Sequence, residues 1–184
     1  MRDVIYSMST SLDGYIASPD GGIDWTAPDD ELFRFHTEQT RSIAVQLMGR
    51  RLYETMLVWE TLDQEGSASE MLVDFARVWK PIPKLVFSRS LEAVEGNARL
   101  VRGGLTEELG RLKSENGGAI GVGGATLAGE AARLGLVDEF RVFVYPVALG
   151  GGTPFFPREH RLDLEHVETR TFGSRVVCLR YRAH

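Results

Sequence analysis

The chain is poor in cysteine and in long apolar segments. Cys178 is the single cysteine among 184 residues, so the sequence excludes an internal disulfide framework and a cysteine zinc site. No stretch approaches the roughly 20 apolar residues that a membrane helix needs. The first residues also lack an apolar run of signal-peptide length. These shortages predict a cytoplasmic protein with no membrane partner.

The sequence also lacks an excess of positive charge and histidines spaced as metal ligands. Lysine and arginine number 21 against 26 aspartate and glutamate residues, and the net charge of −5 argues against a nucleic-acid partner. The four histidines show no spacing such as His-Glu-x-x-His, so we predict no metal site. Hydrophobic residues make up 43% and charged residues 26%, a balance typical of a globular protein, and the length fits one domain over residues 1–184.

Residues 119–127 combine a short apolar run with glycines and the start of a helix. Small and β-branched residues predict a buried strand, and we expect Thr126 to cap the helix that follows. Glycine leaves the backbone bare, and a helix N-terminus offers unpaired N–H groups that suit a phosphate. The alternative is a tight strand-to-helix turn without a ligand. The candidate residues are Gly121, Gly123, Gly124, Ala125 and Thr126.

Two other predicted strand ends carry groups that suit phosphates. Gly49 ends a strand over residues 43–48, and Arg50 and Arg51 then open a helix. Two arginines there oppose the helix dipole unless an anion binds; the alternative is a pair of solvated arginines. A strand over residues 84–88 ends in two hydroxyls around an arginine, for which the alternative is a plain turn. These residues are Ser88, Arg89 and Ser90.

The order of elements predicts an α/β fold. Strands and helices alternate along most of the chain, including a helix over residues 67–79 and a strand over residues 140–147, and a hairpin over residues 162–182 ends it. This order predicts a mostly parallel mixed sheet with helices on both faces and a C-terminal antiparallel hairpin. Because such sheets bind ligands at the carboxyl ends of their strands, three anion-binding turns predict a dinucleotide with more than one phosphate.

The same segments resemble a known family. The sequence of strand ends at residues 48–54, 88–90 and 121–124 is similar to the dihydrofolate-reductase-like fold. Residues 11–17 and 150–154 resemble the reductase domain of the bifunctional riboflavin-biosynthesis deaminase–reductase still more closely. The resemblance covers nearly the whole chain and implies a three-layer sandwich. By analogy with the family, we also expect a homodimer.

The resemblance implies NADPH as the cofactor. It implies that Gly49, Arg50 and Arg51 hold cofactor phosphates, and that the segment 88–90 holds the 2′-phosphate of the adenosine ribose. The glycine segment 119–127 would cradle the pyrophosphate. Backbone near Ile16 and Ala17 would face the nicotinamide.

The chain departs from the family at two places. Riboflavin reductases carry an Asp-Asp-Pro-x-Leu-Thr-x-Arg run where this chain has residues 58–64, and this departure argues against recognition of a ribityl-phosphate substrate. Residues 25–30 instead resemble dihydrofolate reductases, in which Asp30 would match the carboxylate that assists protonation. The alternative for Asp30 is an exposed acid at a helix start.

We therefore carry three hypotheses. The first is an NADPH-dependent reductase of a small heterocyclic or carbonyl-like substrate, including activity like that of a 5-amino-6-(5-phosphoribosylamino)uracil reductase or a dihydrofolate reductase. The second is a catalytically silent NADPH-binding module. A Rossmann dehydrogenase ranks below both because the glycine segment lacks the third glycine of that fingerprint. The candidate substrate residues are Asp13, Trp25, Tyr53 and Tyr145.

Overall fold

The computed structural model describes residues 1–64, 66 and 68–184. The strands in chain order are β1 Val4–Thr10, β2 Tyr15–Ala17, β3 Ile43–Gly49, β4 Lys84–Phe87, β5 Ala98–Val101, β6 Ala119–Gly123, β7 Glu139–Val144, β8 Thr153–Pro154, β9 Leu164–Thr171 and β10 Val177–Ala183. The α-helices are α1 Asp30–Arg41, α2 Arg50–Met56, α3 Glu70–Trp79, α4 Leu105–Ser114 and α5 Ala125–Arg133.

Eight strands form one sheet in the order β5-β4-β3-β6-β1-β7-β10-β9. The pairs from β5 to β7 are all parallel, whereas β10 runs antiparallel to both β7 and β9. The predicted mostly parallel sheet with a C-terminal antiparallel hairpin is therefore confirmed. β1 lies in the interior of the sheet, which agrees with its apolar sequence.

Helices cover both faces of the sheet. On one face, Leu109 of α4 and Ala128 of α5 join the core cluster that contains Val4, Leu47 and Ile120. On the other face, Leu32 of α1 packs with Phe143, and Phe75 of α3 packs with Met48 and Val86. The protein is thus the three-layer sandwich that the sequence predicts.

Three predicted boundaries shift in the structure. Gly124, with φ of 86°, is the N-cap of α5 and no side chain caps the helix, so the predicted capping role of Thr126 is wrong. Thr126 lies within the helix, where its own backbone is already helical. The strand predicted over 140–147 ends at Val144, because Pro146 cannot donate to a neighbouring strand. Of the helix predicted over 67–79, Ser67 lies outside the described residues, and α3 begins after Ser69 caps it.

A small two-stranded sheet lies against the end of β1. β2 pairs with β8, and the amide of Phe155 donates to the carbonyl of Gly14 at 2.9 Å. Gly152 has φ of 131°, and a Cβ there would lie 2.0 Å from the carbonyl oxygen of Ala17. Gly150 has φ of 72°, but a Cβ there would meet no atom within 4 Å. Close backbone approach at Gly152 therefore fixes where Ile16 and Ala17 lie.

We predict that Gly152→Ala destabilises the protein far more than Gly150→Ala. Both substitutions place a side chain at positive φ, which costs about 1–2 kcal/mol. Only the first adds a clash with backbone, so its cost should reach about 3 kcal/mol or more. Urea unfolding of the two variants measures the difference, and equal losses would show that the contact with Ala17 does not hold β2 in place.

Candidate functional site

Three of the candidate segments follow adjacent parallel strands. Gly49 at the end of β3 lies opposite Phe87 at the end of β4, and Met48 lies opposite Gly123 at the end of β6. The residues after these strands therefore leave the sheet side by side at its carboxyl edge. The structure brings together the segments that the sequence places about 35 residues apart, as parallel α/β connections require.

Arg50 links the residues that follow β3 to the residues that follow β4. Its Nη1 donates to Ser90 Oγ at 3.3 Å, and its Nε lies 3.7 Å from Glu54 Oε1. Ser88 Oγ accepts from the amides of Ser90 and Leu91 at 3.2 and 3.1 Å, which shapes the turn. Two hydroxyls and a guanidinium thus face one small volume, as recognition of a phosphate requires.

Gly124 brings the third segment against the same corner. A Cβ at this residue would lie 3.9 Å from the amide nitrogen of Gly49 and 3.8 Å from Cβ of Leu52. The N-terminus of α5 has no side-chain cap, so its first N–H groups and its positive dipole end are available to an anion. Ala125 and Thr126 lie in the first turn of this helix, so this cradle is the part of the chain that could hold a pyrophosphate.

Arg51 and Arg89 are exposed beside this corner. Arg102, which sequence reasoning missed, braces the turn that contains Arg89: its Nη1 donates to the carbonyl of Ser88 at 2.7 Å, and its Nη2 donates to the carbonyl of Leu91. The sequence could have indicated Arg102 by its position, because it directly follows β5, the fourth parallel strand that ends at this edge. Arg102 adds positive charge to the edge where the other arginines lie.

The carboxylate of the candidate substrate residue Asp13 is occupied by hydrogen bonds within the protein. Its carboxylate accepts from Ser11 Oγ at 2.6 Å, and from the amides of Leu149 and Gly150 at 3.1 and 2.7 Å. These bonds, the one from Ser11 first and the one from Leu149 next, lower the pKa of Asp13 to about 2. Asp13 therefore holds the loop before β8 against the turn that follows β1, and so supports Ile16 and Ala17.

Two of the other candidate substrate residues meet, and one lies apart. The rings of Trp25 and Tyr145 cross edge to face at 5.8 Å, and Tyr145 Oη donates to the carbonyl of Thr26 at 2.9 Å. Burial is the main cause that raises the pKa of Tyr145. The indole Nε1 of Trp25 is buried without a partner among the described residues. Tyr53 instead packs in the core, where its hydroxyl accepts from the amide of Glu95 at 2.6 Å.

Asp30 points away from these groups. Its side chain is 74% exposed and lies 3.6 Å from Arg34 on the next turn of α1. Asp29 before it is the N-cap, since its carboxylate accepts from the amide of Leu32 at 2.8 Å. The structure thus places Asp30 as an exposed acid at a helix start, one of the two alternatives that the sequence left open.

A cavity of about 230 Å³ lies between the sheet and helices α1 and α3, next to the glycine segment. Gly121 and Gly123 form part of its wall, and Phe75, Trp79 and Leu52 supply apolar lining. Sequence reasoning missed its polar lining, whose members come from three strands and one helix. These side chains are Ser7, His36, Gln39, Thr40, Gln46 and Arg141.

His36 is neutral in this cavity at neutral pH. Burial lowers its pKa from 6.5 to about 4, because the charged imidazolium loses its hydration there. The ring packs on Phe143 with centroids 4.4 Å apart. His36 therefore offers the cavity a hydrogen-bonding group without a charge.

The second cavity lies at the opposite edge of the sheet. It measures about 560 Å³, is wide open, and is lined by residues near the starts of β3 and β4, among them Ile43 and Pro83. Its position away from the glycine segment separates it from the candidate cofactor corner. The described residues include no cluster of histidine, cysteine and acidic side chains suited to a metal, and no helix long and apolar enough to cross a membrane.

The RibD C-terminal domain model matches residues 2–178. The chain belongs to this family. The family resemblance predicted from the strand ends is thereby confirmed.

Comparison with individual proteins agrees with the family. The uncharacterized protein YyaP of Bacillus subtilis (strain 168) is 32% identical over 185 residues, which cover 98% of this chain and 94% of YyaP. A protein of Shewanella sp. PV-4 named for riboflavin biosynthesis has a similar structure, with a TM-score of 0.74, 22% identity and coverage of 100% of this chain and 99% of that one.

A bifunctional enzyme of Thermotoga maritima is similar over part of its length. It is a diaminohydroxyphosphoribosylaminopyrimidine deaminase/5-amino-6-(5-phosphoribosylamino)uracil reductase, with a TM-score of 0.66 and 17% identity. The match covers 100% of this chain but 57% of that enzyme. At such identities, the likeness to the Shewanella and Thermotoga structures shows the fold alone.

We predict that His36 makes the stability of the protein pH-dependent. Because its folded pKa of about 4 lies below the ordinary 6.5, the unfolded chain binds a proton first as pH falls through this window. Stability should fall from pH 6.5 to 4 by on the order of 2 kcal/mol more than in His36→Gln. Urea unfolding at several pH values tests this, and a ring NMR titration of His36 centred near pH 6.5 would contradict it.

Proposed function

We propose that the protein is an NADPH-dependent reductase that acts on a small planar substrate. One observation carries this proposal: the turns after β4, β3 and β6 meet at one edge of the sheet, directly beside a cavity walled by Gly121 and Gly123. The turns suit a molecule with several phosphates, and the cavity suits a second, smaller molecule. Membership of the RibD C-terminal domain family supports a reductase.

The residues at the edge divide the binding of NADPH among them. Gly124, Ala125 and Thr126 offer backbone N–H groups to the pyrophosphate, with Arg50 and Arg51 beside them. The turn 88–90, which Arg102 braces, offers hydroxyls and the guanidinium of Arg89 to the 2′-phosphate. When bound, NADPH supplies the hydride. Backbone at Ile16 and Ala17, fixed by Gly152, orients the nicotinamide end.

The proton that accompanies the hydride has no carboxylic donor in the cavity. Among the described lining residues none is acidic, and Asp30 is 74% exposed and faces Arg34. Dihydrofolate reductase activity requires a carboxylate beside the substrate, so the geometry disfavours that alternative. We propose that water delivers the proton.

We propose that the substrate of this protein lacks the ribityl phosphate group that riboflavin reductases recognise. In the region where riboflavin reductases carry their acidic run, Glu60 Oε1 lies 2.9 Å from Lys84 Nζ, and Asp63 Oδ1 lies 2.9 Å from Lys80 Nζ. These acids hold the short 3₁₀ helices Leu57–Glu60 and Leu62–Gln64 against the end of α3 and the start of β4. They support the fold and are not free to bind a substrate.

We predict that Arg89→Ala weakens binding of NADPH about tenfold or more, since a hydrogen-bonded charge pair with the 2′-phosphate is lost. NADH lacks this phosphate, so its affinity should stay within about twofold of wild type. Isothermal titration calorimetry with both nucleotides measures the effect. Arg77→Ala, an exposed arginine near the opposite edge, is the matched control. Equal losses for NADPH and NADH would remove Arg89 from this role.

The lack of an acidic residue in the cavity also favours a second candidate function, an NADPH-binding module without turnover.

To separate the two candidates, we predict that the protein oxidises NADPH in the presence of at least one pyrimidine or pteridine from a panel, measured by loss of absorbance at steady state. The proposal assigns the backbone of Ile16 and Ala17 to orienting the nicotinamide, a role that a protein which only binds NADPH would not need. Tight NADPH binding with no oxidation across the panel would favour the module.

A further inference from the structure

One guanidinium organises the polar side of the cavity. Arg141 on β7 is 8% exposed, and its Nε donates to Glu139 Oε1 at 2.5 Å. Its Nη1 donates to the side-chain carbonyl of Gln39 on α1. The hydrogen bonds of Arg141 within the described chain use these two nitrogens. Nη2 is left as a charged donor in a cavity that this residue lines.

The charge of Arg141 is balanced outside the cavity. Glu139 is 4% exposed and also accepts from Nε and Nη2 of Arg180, both at 3.2 Å. Burial raises the pKa of Glu139, but Arg180 and Arg141 outweigh burial and hold it below its usual value. Arg180 in turn donates to Glu168 at 2.6 Å. Two cations therefore face two anions.

Because Glu139 already neutralises Arg141, the cavity favours an uncharged ligand. Among the described lining residues, Arg141 alone has a permanent charge, and Glu139 already neutralises it. A carboxylate or phosphate would bring an unbalanced charge into a largely buried space, which is costly. A neutral carbonyl can accept from Nη2 without upsetting the balance.

The shape of the cavity restricts the ligand further. A side chain at Gly121 would place its Cβ 2.1 Å from Oε1 of Gln46, and one at Gly123 would lie 2.4 Å from Cδ2 of Leu52. Gln46 Nε2 donates to the carbonyl of Leu47 at 3.2 Å, which leaves Oε1 as an acceptor. A volume of 230 Å³ holds a single ring, since a cavity of about 150 Å³ accepts benzene.

We propose that Arg141 is a specificity-determining residue, whose Nη2 binds the carbonyl oxygen of an uncharged, single-ring substrate seated in this cavity. Gln46 Oε1 accepts from a ring N–H beside that carbonyl. The ring then lies against Gln46 and Leu52, which pack over Gly121 and Gly123, next to the corner assigned to the cofactor. The inference rests on the proposed function for the hydride step, although binding of the ring does not require that step.

The test uses four matched probes and the complete protein. The probes are 2-pyridone, N-methyl-2-pyridone, pyridine and the anion picolinate, titrated while the backbone amides of Gly121 and Gly123 are followed by NMR. We expect 2-pyridone to shift both amides with a dissociation constant of about 1 mM. Pyridine, which lacks the carbonyl, and N-methyl-2-pyridone, which lacks the N–H, should bind at least about fivefold more weakly. Picolinate should bind no more tightly than 2-pyridone.

Arg141→Lys keeps the charge beside Glu139 but removes the donor fork, and should weaken 2-pyridone about tenfold. Arg180→Lys is the matched control, because Arg180 also binds Glu139 but does not line the cavity. It should leave 2-pyridone binding within about twofold of wild type. Thermal unfolding confirms that both variants are folded, and the four-probe comparison on the wild type decides the question if Arg141→Lys is not.

Any of three results would overturn the inference. These are no shift at Gly121 and Gly123 with 2-pyridone, equal binding of pyridine and 2-pyridone, or tighter binding of picolinate than of 2-pyridone. An equal loss in Arg141→Lys and Arg180→Lys would assign Arg141 to the ion network alone. NADPH titrated separately distinguishes the two proposals: NADPH binding without 2-pyridone binding sinks this inference only, and the converse sinks the proposed cofactor.

Discussion

Parallel hydrogen bonding between β4, β3 and β6 is the constraint on which the rest of the site depends. Parallel neighbours end at the same edge, so the chain must reverse there three times side by side. Each reversal exposes backbone N–H groups that the sheet no longer uses. Arginines and serines at the same places add side-chain donors, as the contact between Arg50 and Ser90 shows. The proposed polyanion site thus depends on topology as much as on any single residue.

Glycine controls how closely the remaining parts approach this edge. Gly124 allows α5 to start against Gly49, and Gly152 allows the loop before β8 to lie on the carbonyl of Ala17. At Gly121 and Gly123 the missing side chains make room for Gln46 and Leu52. The contact of Gly152 with Ala17 joins residues 135 positions apart, so no local sequence pattern could show it.

Sequence patterns predicted the parts of this architecture that are local. Apolar runs, helix starts and strand-end glycines each lie within about ten residues, and they gave the sheet, the helices and the three turns correctly. The cavity could not be predicted in this way because Gln39, Gln46 and Arg141 come from α1, β3 and β7. Arg141 carried one signal in the sequence, because it is a charged residue between the apolar residues Phe140 and Val142. Only the fold shows that its guanidinium donates hydrogen bonds to Glu139 and Gln39.

The hydrogen-bond partners of isolated polar residues also lie far away in the sequence. Asp13 and Tyr53 look available in the sequence, yet both spend their polar atoms on loop backbone, at Gly150 and Glu95. The site that remains has two electrostatically different halves. The strand-end edge gathers Arg50, Arg51, Arg89 and Arg102 with a helix N-terminus, whereas the cavity holds one cation that Glu139 balances. This difference in charge supports the proposal that a highly charged cofactor binds at the edge and an uncharged ring binds in the cavity.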